Sequence, residues 1–173
     1  ATPVREAMLE LCRDGLVEPV RNKGFRISAM TDRQLDEITQ LRALIEIPIV
    51  TAIAETVTPQ QVDQLEELAR GIFVAADAGD LVGYLETDRE FHLALLSLSG
   101  NRMLVQLVGE MRMRTRLYGL PTLEREHRLN RSAEEHLELV DALRKHDSER
   151  AGEIMRRHIG HVRHLWASSS EEE

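Results

Sequence analysis

The chain carries seven histidines, and three of them could do chemistry together with one aspartate. Asp88 and His92 lie four residues apart in DREFHLALLSLSGN, so on a helix they share one face, one turn apart. That face continues through Leu85 and through Leu95 or Leu96. Taken alone, the pair reads as a local hydrogen bond at a helix surface. His136 in EEHLELVDAL and His158 in AGEIMRRHIGHVRHLW change the weight. Val140 and Leu143 follow the first on its face, Met155 and Ile159 flank the second, and both helices must bury their apolar stripes against others. Three imidazoles and a carboxylate from three helices can converge on one divalent cation. Such a donor set suits zinc, nickel, cobalt, iron or manganese, with one or two positions left for water or an oxygen-bearing ligand.

Spacing leaves alternatives open. His161 lies one turn from His158, and both His161 and His164 read as outer contacts, alternative ligands or a solvated helix face. His127 and His146 stand in charged, loop-like sequence and are assigned to the surface. Arg42 and Glu46 form a second i, i+4 pair in LRALIEIPIV. The plain reading is a helix-face salt bridge of a few tenths of a kcal/mol. The functional reading puts Arg42 beside the metal, where its guanidinium fork would match an anionic ligand. Glu90, Glu134 and Glu135 are read as helix-surface residues, which leaves no separate acid or base well placed. A helical metal-dependent enzyme acting on a small carboxylate therefore stands only as the alternative to a binding role. A metal staple without a ligand is a third reading.

These residues need helices to carry them, and the composition allows that. The chain has 173 residues, 42% apolar and 30% charged, enough for one ordinary domain with or without a small appendage. No run of eighteen apolar residues and no apolar leader is visible. The single cysteine, Cys12, excludes an internal disulfide framework and fits a reducing, cytoplasmic setting. The net charge of -8 argues against wrapping nucleic acid over the whole surface. Residues 1–26, however, carry five Arg and Lys against four Asp and Glu, so nucleic-acid contact is expected to be local and N-terminal.

Thr2–Pro3 can cap a first helix through Val4, Met8, Leu11 and Cys12, without a capping box because position 5 is Arg, and Gly15 is its expected stop. Val17–Val20 and Phe25–Ile27, around Arg21-Asn22-Lys23-Gly24, read as a hairpin. From Thr31 the chain reads as helix throughout. One stripe is Leu35, Ile38, Leu41, Ile45, Ile49 and Ile53, with Pro48 a candidate kink. Thr58–Pro59 opens a second helix through Val62, Leu65, Leu68 and Ile72, with Gly79 after it. A third runs from about Leu81 to Leu98 and stops at Ser99–Gly100. A fourth starts near Asn101 and is interrupted at Gly119 and Pro121. A fifth runs from Ala133 to Arg144, capped by Ser132 with Glu135 at its third position. A sixth opens at Asp147 or Ser148 and reaches about Trp166. The expected fold is mainly α, an antiparallel six-helix bundle. Residues 1–30 form a first unit, residues 31–167 the helical domain and residues 168–173 a disordered tail.

The motifs also carry a resemblance. TPVREAMLELCRDGLV resembles the recognition helix and following turn of the GntR family of winged-helix transcriptional regulators, and VEPVRNKGFRI resembles the wing. RALIE at 42–46, DREFH at 88–92, SGN at 99–101, EEH at 134–136 and MRRH at 155–158 resemble the FCD ligand-binding domain of the FadR-like branch. The resemblance implies a partial winged helix-turn-helix followed by an FCD-type bundle, in a regulator and not an enzyme. It places the metal ligands on Asp88, His92, His136 and His158, with zinc most expected and nickel or manganese as alternatives. It places effector contacts on Arg42 and Asn101, the effector being a small organic acid or sugar acid. DNA contacts fall on Thr2, Pro3 and Arg5 at the recognition helix and on Arg21, Lys23 and Arg26 in the wing. A homodimer on a palindromic operator is implied as well. The pattern departs from the family at the start, where two helices and a Ser-Arg would precede Thr2. Residues 1–173 alone are therefore expected to bind operator DNA weakly or not at all.

Overall fold

A computed structural model describes residues 2–13, 16–28, 30–123 and 129–167, with side chains for all of these except residues 27, 116–123 and 161–167. Gly15, His127 and the 168–173 tail lie outside the described residues, as do the side chains of His161 and His164. Helix α1 spans Pro3–Arg13, strands β1 (Val17–Val20) and β2 (Gly24–Ile27) follow, and six helices complete the chain. These are α2 (Asp32–Thr56), α3 (Pro59–Asp77), α4 (Leu81–Ser97), α5 (Arg102–Leu123), α6 (Leu129–Arg144) and α7 (Ser148–Ala167).

The two strands pair antiparallel, Val17 opposite Ile27 and Val20 opposite Gly24. Their turn is closed by the Lys23 amide on the Val20 carbonyl at 3.0 Å. Asn22 and Gly24 take φ of 61° and 95° there, the left-handed region that Asn tolerates and Gly adopts freely. Helix α1 has no buried residue, and Val4 is 71% exposed. Among the described side chains of this unit, Leu16 is the buried apolar one.

The bundle starts from local signals. Thr31 and Thr58 each form a reciprocal capping box, with Gln34 and Gln61 respectively. Asp80 accepts from the Gly83 amide, Asn101 from Leu104 and Asp147 from Arg150, so each helix start in this set recruits a side chain for its free amides. Gly79 and Gly100 end the preceding helices at φ of 69° and 71°. Helix α2 packs on α7, α3 on α4 and α6, and α5 on α4 and α7. Phe91, Leu35, Ile72, Leu95, Leu96, Leu143, Ile154 and Met155 fill the core.

Two boundaries and one face differ from the sequence expectation. Helix α6 begins at Leu129, so Ser132 is a buried interior residue and not the cap. Apolar burial of Leu129 and Ala133 on the same face outweighs the local cap preference of a serine. The backbone of α5 stays helical through positions 119 and 121 to Leu123, since a proline removes one amide donor without forbidding the turns around it; α2 likewise continues through Pro48, inside the helix as expected. On α2, the most buried line is Leu35, Arg42, Glu46, Val50 and Ile53, while Leu41 is 50% exposed. The stripe through Leu41, Ile45 and Ile49 lies beside the core-facing line, which carries a charged pair in its middle.

Candidate metal centre

Helix α4 presents Asp88 and His92 one turn apart, α6 presents His136 and α7 presents His158. All four residues are buried, at 4% exposure or less, and one donor atom from each lies within 4.8 Å of the other three. His92 Nε2 and His136 Nε2 are 3.0 Å apart. Asp88 Oδ1 lies 3.1 Å from His136 Nε2 and 3.7 Å from His92 Nε2. The rings of His92 and His158 stack at 5.1 Å, and His136 meets His158 edge-on at 4.6 Å. Phe91 packs edge-on against both His92 and His136 and seals one side. The surface-pair reading of Asp88 and His92 is therefore superseded, because both point into the bundle.

The outer nitrogens say what the inner ones offer. His136 Nδ1 lies 2.8 Å from the Ser132 carbonyl, an acceptor, so Nδ1 carries the proton and Nε2 presents a lone pair. His158 Nδ1 lies 3.1 Å from Glu135 Oε2, so the same tautomer follows, and its buried Nε2 has no hydrogen-bond partner. The Nε2 atoms of His136 and His158 and Asp88 Oδ1 are thus brought together, with His92 Nε2 beside them. Donors that share a cation at about 2.0–2.1 Å sit roughly 3 Å apart when adjacent, and the spacings of 3.0 and 3.1 Å agree. The residues present thus fit a divalent cation, and the far-side hydrogen bonds of His136 and His158 are the usual support for such ligands. Burial holds His92 well below its ordinary pKa, with Arg112, His136 and His158 adding to the effect. Burial also brings His158 down to about 3, against the opposing pull of Glu135. Both rings are neutral near pH 7, the form that binds a metal.

Around this cluster runs a charged layer. Arg112 on α5 donates to Asp88 Oδ2 at 3.0 Å and to Glu46 Oε2 at 3.4 Å. Arg42 donates to Glu46 Oε1 at 2.6 Å. Burial alone would raise the Glu46 pKa, but Arg42 and Arg112 outweigh it and hold it below the usual carboxylate range. Arg42 is 2% exposed, its Nη2 is buried without a partner, and its charge reaches His92. A surface pair would contribute a few tenths of a kcal/mol. Removing one partner of a buried pair instead costs about 3–5 kcal/mol.

Asn101 stands at the surface, with its side-chain oxygen spent on the first turn of α5. Thr2, Pro3, Arg5, Arg21, Lys23 and Arg26 are all exposed, and Arg26 forms an ion pair with Glu18 across the hairpin. His146 is at the surface, as expected, and its Nδ1 donates to the Ala54 carbonyl at 2.9 Å. Glu90 and Glu134 are exposed, but Glu135 is 1% exposed and bonded to His158. Sequence reasoning missed Glu135, Arg112 and the Tyr84–Ser132 hydrogen bond of 3.0 Å behind His136. Two of these had a signal. Glu135 precedes Leu139 and Ala142 by four and seven residues, and Arg112 follows Val108 by four, so each lies on an apolar helical face.

The FCD domain profile matches residues 37–161. The chain is 31% identical over 113 residues to the HTH-type transcriptional regulator McbR of Escherichia coli, a match covering 65% of this chain and 51% of McbR. It is 30% identical over 171 residues to the HTH-type transcriptional repressor GlaR of Escherichia coli, covering 91% of this chain and 75% of GlaR. The solved structure of E. coli McbR/YncC superposes with a TM-score of 0.77 at 28% identity, over 95% of this chain and 80% of that one. That of Streptococcus agalactiae GntR gives 0.63 at 27% identity, over 93% and 80%.

Proposed function

The chain belongs to the FCD-domain branch of the GntR family of helix-turn-helix transcriptional regulators, and from that premise we propose a metal-assisted sensor of a small anionic effector. The observation that carries this reading is the convergence of Asp88, His92, His136 and His158 from three helices on one buried point. The relatives are transcriptional regulators, not enzymes, so the catalytic alternative is set aside.

In this reading Asp88, His92, His136 and His158 hold a divalent metal, zinc first, with nickel or manganese as alternatives. When bound, the metal supplies a Lewis-acidic cation to an oxygen-bearing ligand. The effector is a small organic acid or sugar acid, and Arg42, with a buried N–H to spare, offsets its charge. Asn101 is the other expected effector contact, although its present task is capping α5. Residues 1–30 then serve as the DNA-reading unit, with Thr2, Pro3 and Arg5 at the recognition helix and Arg21, Lys23 and Arg26 in the wing. Their exposure supports that role.

Helix α2 links the two units. It starts five residues after β2 ends and carries Arg42 and Glu46 into the charged layer. Effector binding that repositions Arg42 has a continuous helix through which to act on the reader, provided its affinity differs between two states. The homodimer has an apolar face available. Leu44 and Met103 are 73% and 83% exposed, and Leu107 is 48% exposed, on α2 and α5; Ile45, Met103, Leu104 and Leu107 line one depression there.

Metal analysis of the purified protein, followed by calorimetric titration with a panel of small carboxylates, tests the reading. Saturable binding lost in Arg42→Ala, without turnover, supports it, whereas turnover of a bound acid would return the enzyme. Residues 1–173 alone should bind a specific duplex weakly, because α1 has no buried residue to fix its orientation. Tight, salt-dependent binding by this polypeptide would overturn that part.

A further inference from the structure

The three histidines are supported in different ways. His136 gives its outer proton to a backbone carbonyl of its own helix, at Ser132, which a helix keeps in place whatever the side chains do. His92 Nδ1 is buried without a hydrogen-bond partner. His158 relies on a side chain, and on a charged one from another helix: Glu135 of α6. That carboxylate has no exposed side-chain surface. Its two oxygens are divided, Oε2 to His158 Nδ1 at 3.1 Å and Oε1 to Arg157 Nε at 2.9 Å. Arg157 is 32% exposed, and its Nη2 also donates to Glu138 Oε2 at 2.6 Å.

We infer that Glu135, clamped by Arg157, is the positioning residue of the metal site: it fixes the tautomer and tilt of His158 and so controls metal affinity from the protein surface. The inference rests on the metal-site reading. Its physical basis is a division of labour. A lone buried carboxylate would be costly, and an unclamped one could rotate away from the imidazole. Arg157 neutralises the charge and occupies the oxygen that His158 does not use. Glu135 then has one orientation, and His158 can offer only its Nε2 to the cluster. Outer-shell partners of this kind change metal affinity by about 10- to 100-fold when replaced. Arg157 is adjacent to a ligand in sequence but is not a ligand, and its outward half is reachable by solvent, so a surface residue sets the strength of a buried site.

Cobalt(II) alone is the probe, its affinity measured by competition with a chromophoric chelator on the full 173-residue chain. Glu135→Gln should bind cobalt about 10- to 100-fold more weakly than the wild type. Arg157→Ala should shift affinity the same way by less, and Arg157→Lys should recover part of the loss. A merely structural role is separated by a double-mutant cycle: in a His158→Ala background, Glu135→Gln should produce no further loss. Equal affinity of Glu135→Gln and wild type, or an undiminished effect of Glu135→Gln without His158, overturns the inference while leaving the metal site standing. Failure of the site reading looks different, because wild type and His136→Ala would then be alike in taking up no cobalt.

Discussion

Residues 2–28 and the helical bundle treat charge in opposite ways. In the first, Arg5, Arg21, Lys23 and Arg26 are exposed, and Arg26 meets Glu18 across the hairpin with 67% of its side chain in contact with solvent. In the second, Arg42, Glu46, Asp88, Arg112 and Glu135 are at most 4% exposed and are bonded to partners on neighbouring helices or the next turn. Exposed charges interact weakly with one another and strongly with a polyanion, which suits a surface meant to meet phosphate. Buried charges cannot reorganise cheaply, so they hold a geometry, which suits a site that must present lone pairs to a cation. The same residue types thus stay solvated at the hairpin and hold a fixed geometry inside the bundle.

The largest effects should therefore come from the buried layer. Glu46→Ala leaves Arg42 and Arg112 facing each other without their shared carboxylate, and should cost about 3–5 kcal/mol in chemical denaturation. Stability within about 1 kcal/mol of wild type would erase the contrast with the hairpin. Metal comes next. At a free concentration of about 1,000 times the dissociation constant, zinc should stabilise the wild type by about 4 kcal/mol. His136→Ala should lose most of that gain, and thermal melts with and without chelator report it.

A third test uses pH. The first 28 residues contain no histidine, whereas His92 and His158 are held neutral by burial. Their folded pKa values are depressed, so the unfolded chain binds the extra protons as pH falls. Their contribution to stability is complete above about 6.5 and declines below it. Between pH 6.5 and 5 the metal-free bundle should lose up to about 1.4 kcal/mol per pH unit for each of the two rings. A flat stability profile across that window would mean that these rings take up protons as readily in the folded protein as in the unfolded chain. Smaller again is Thr31→Ala, which breaks a capping box at the start of α2 and should cost about 1 kcal/mol. Least of all, Arg26→Ala should change stability by under about 1 kcal/mol. A larger loss would show that the hairpin's ion pair is structural.

Much of this architecture was legible before the structure. The capping threonines at 31 and 58, the glycines at 79 and 100 and the turn around Asn22 act through neighbours within a few residues, and each was read correctly. The candidate cluster was legible in part from spacing, because i, i+4 geometry forces Asp88 and His92 onto one face, and the family resemblance singled out His136 and His158 to join it. The misreadings share a cause. Ser132 looked like a cap by its type, Glu135 like a surface acid by its charge, and Leu41 like core by its hydrophobicity. In each case a neighbour from a distant part of the chain decided the outcome.

What the sequence determined by itself, then, is the string of helices, where most of them start and stop, and which residues share a face within each. Those are properties of backbone geometry over one or two turns. Only the tertiary structure decided which face of α2 turned inward with Arg42 and Glu46, that Arg112 bridges Glu46 to Asp88, and that Glu135 is buried beneath Arg157 to hold His158. A buried charge is tolerable only with a partner. The partners of Glu46, Asp88 and His158 include residues 66, 24 and 23 positions away along the chain, a distance over which helical periodicity carries no information.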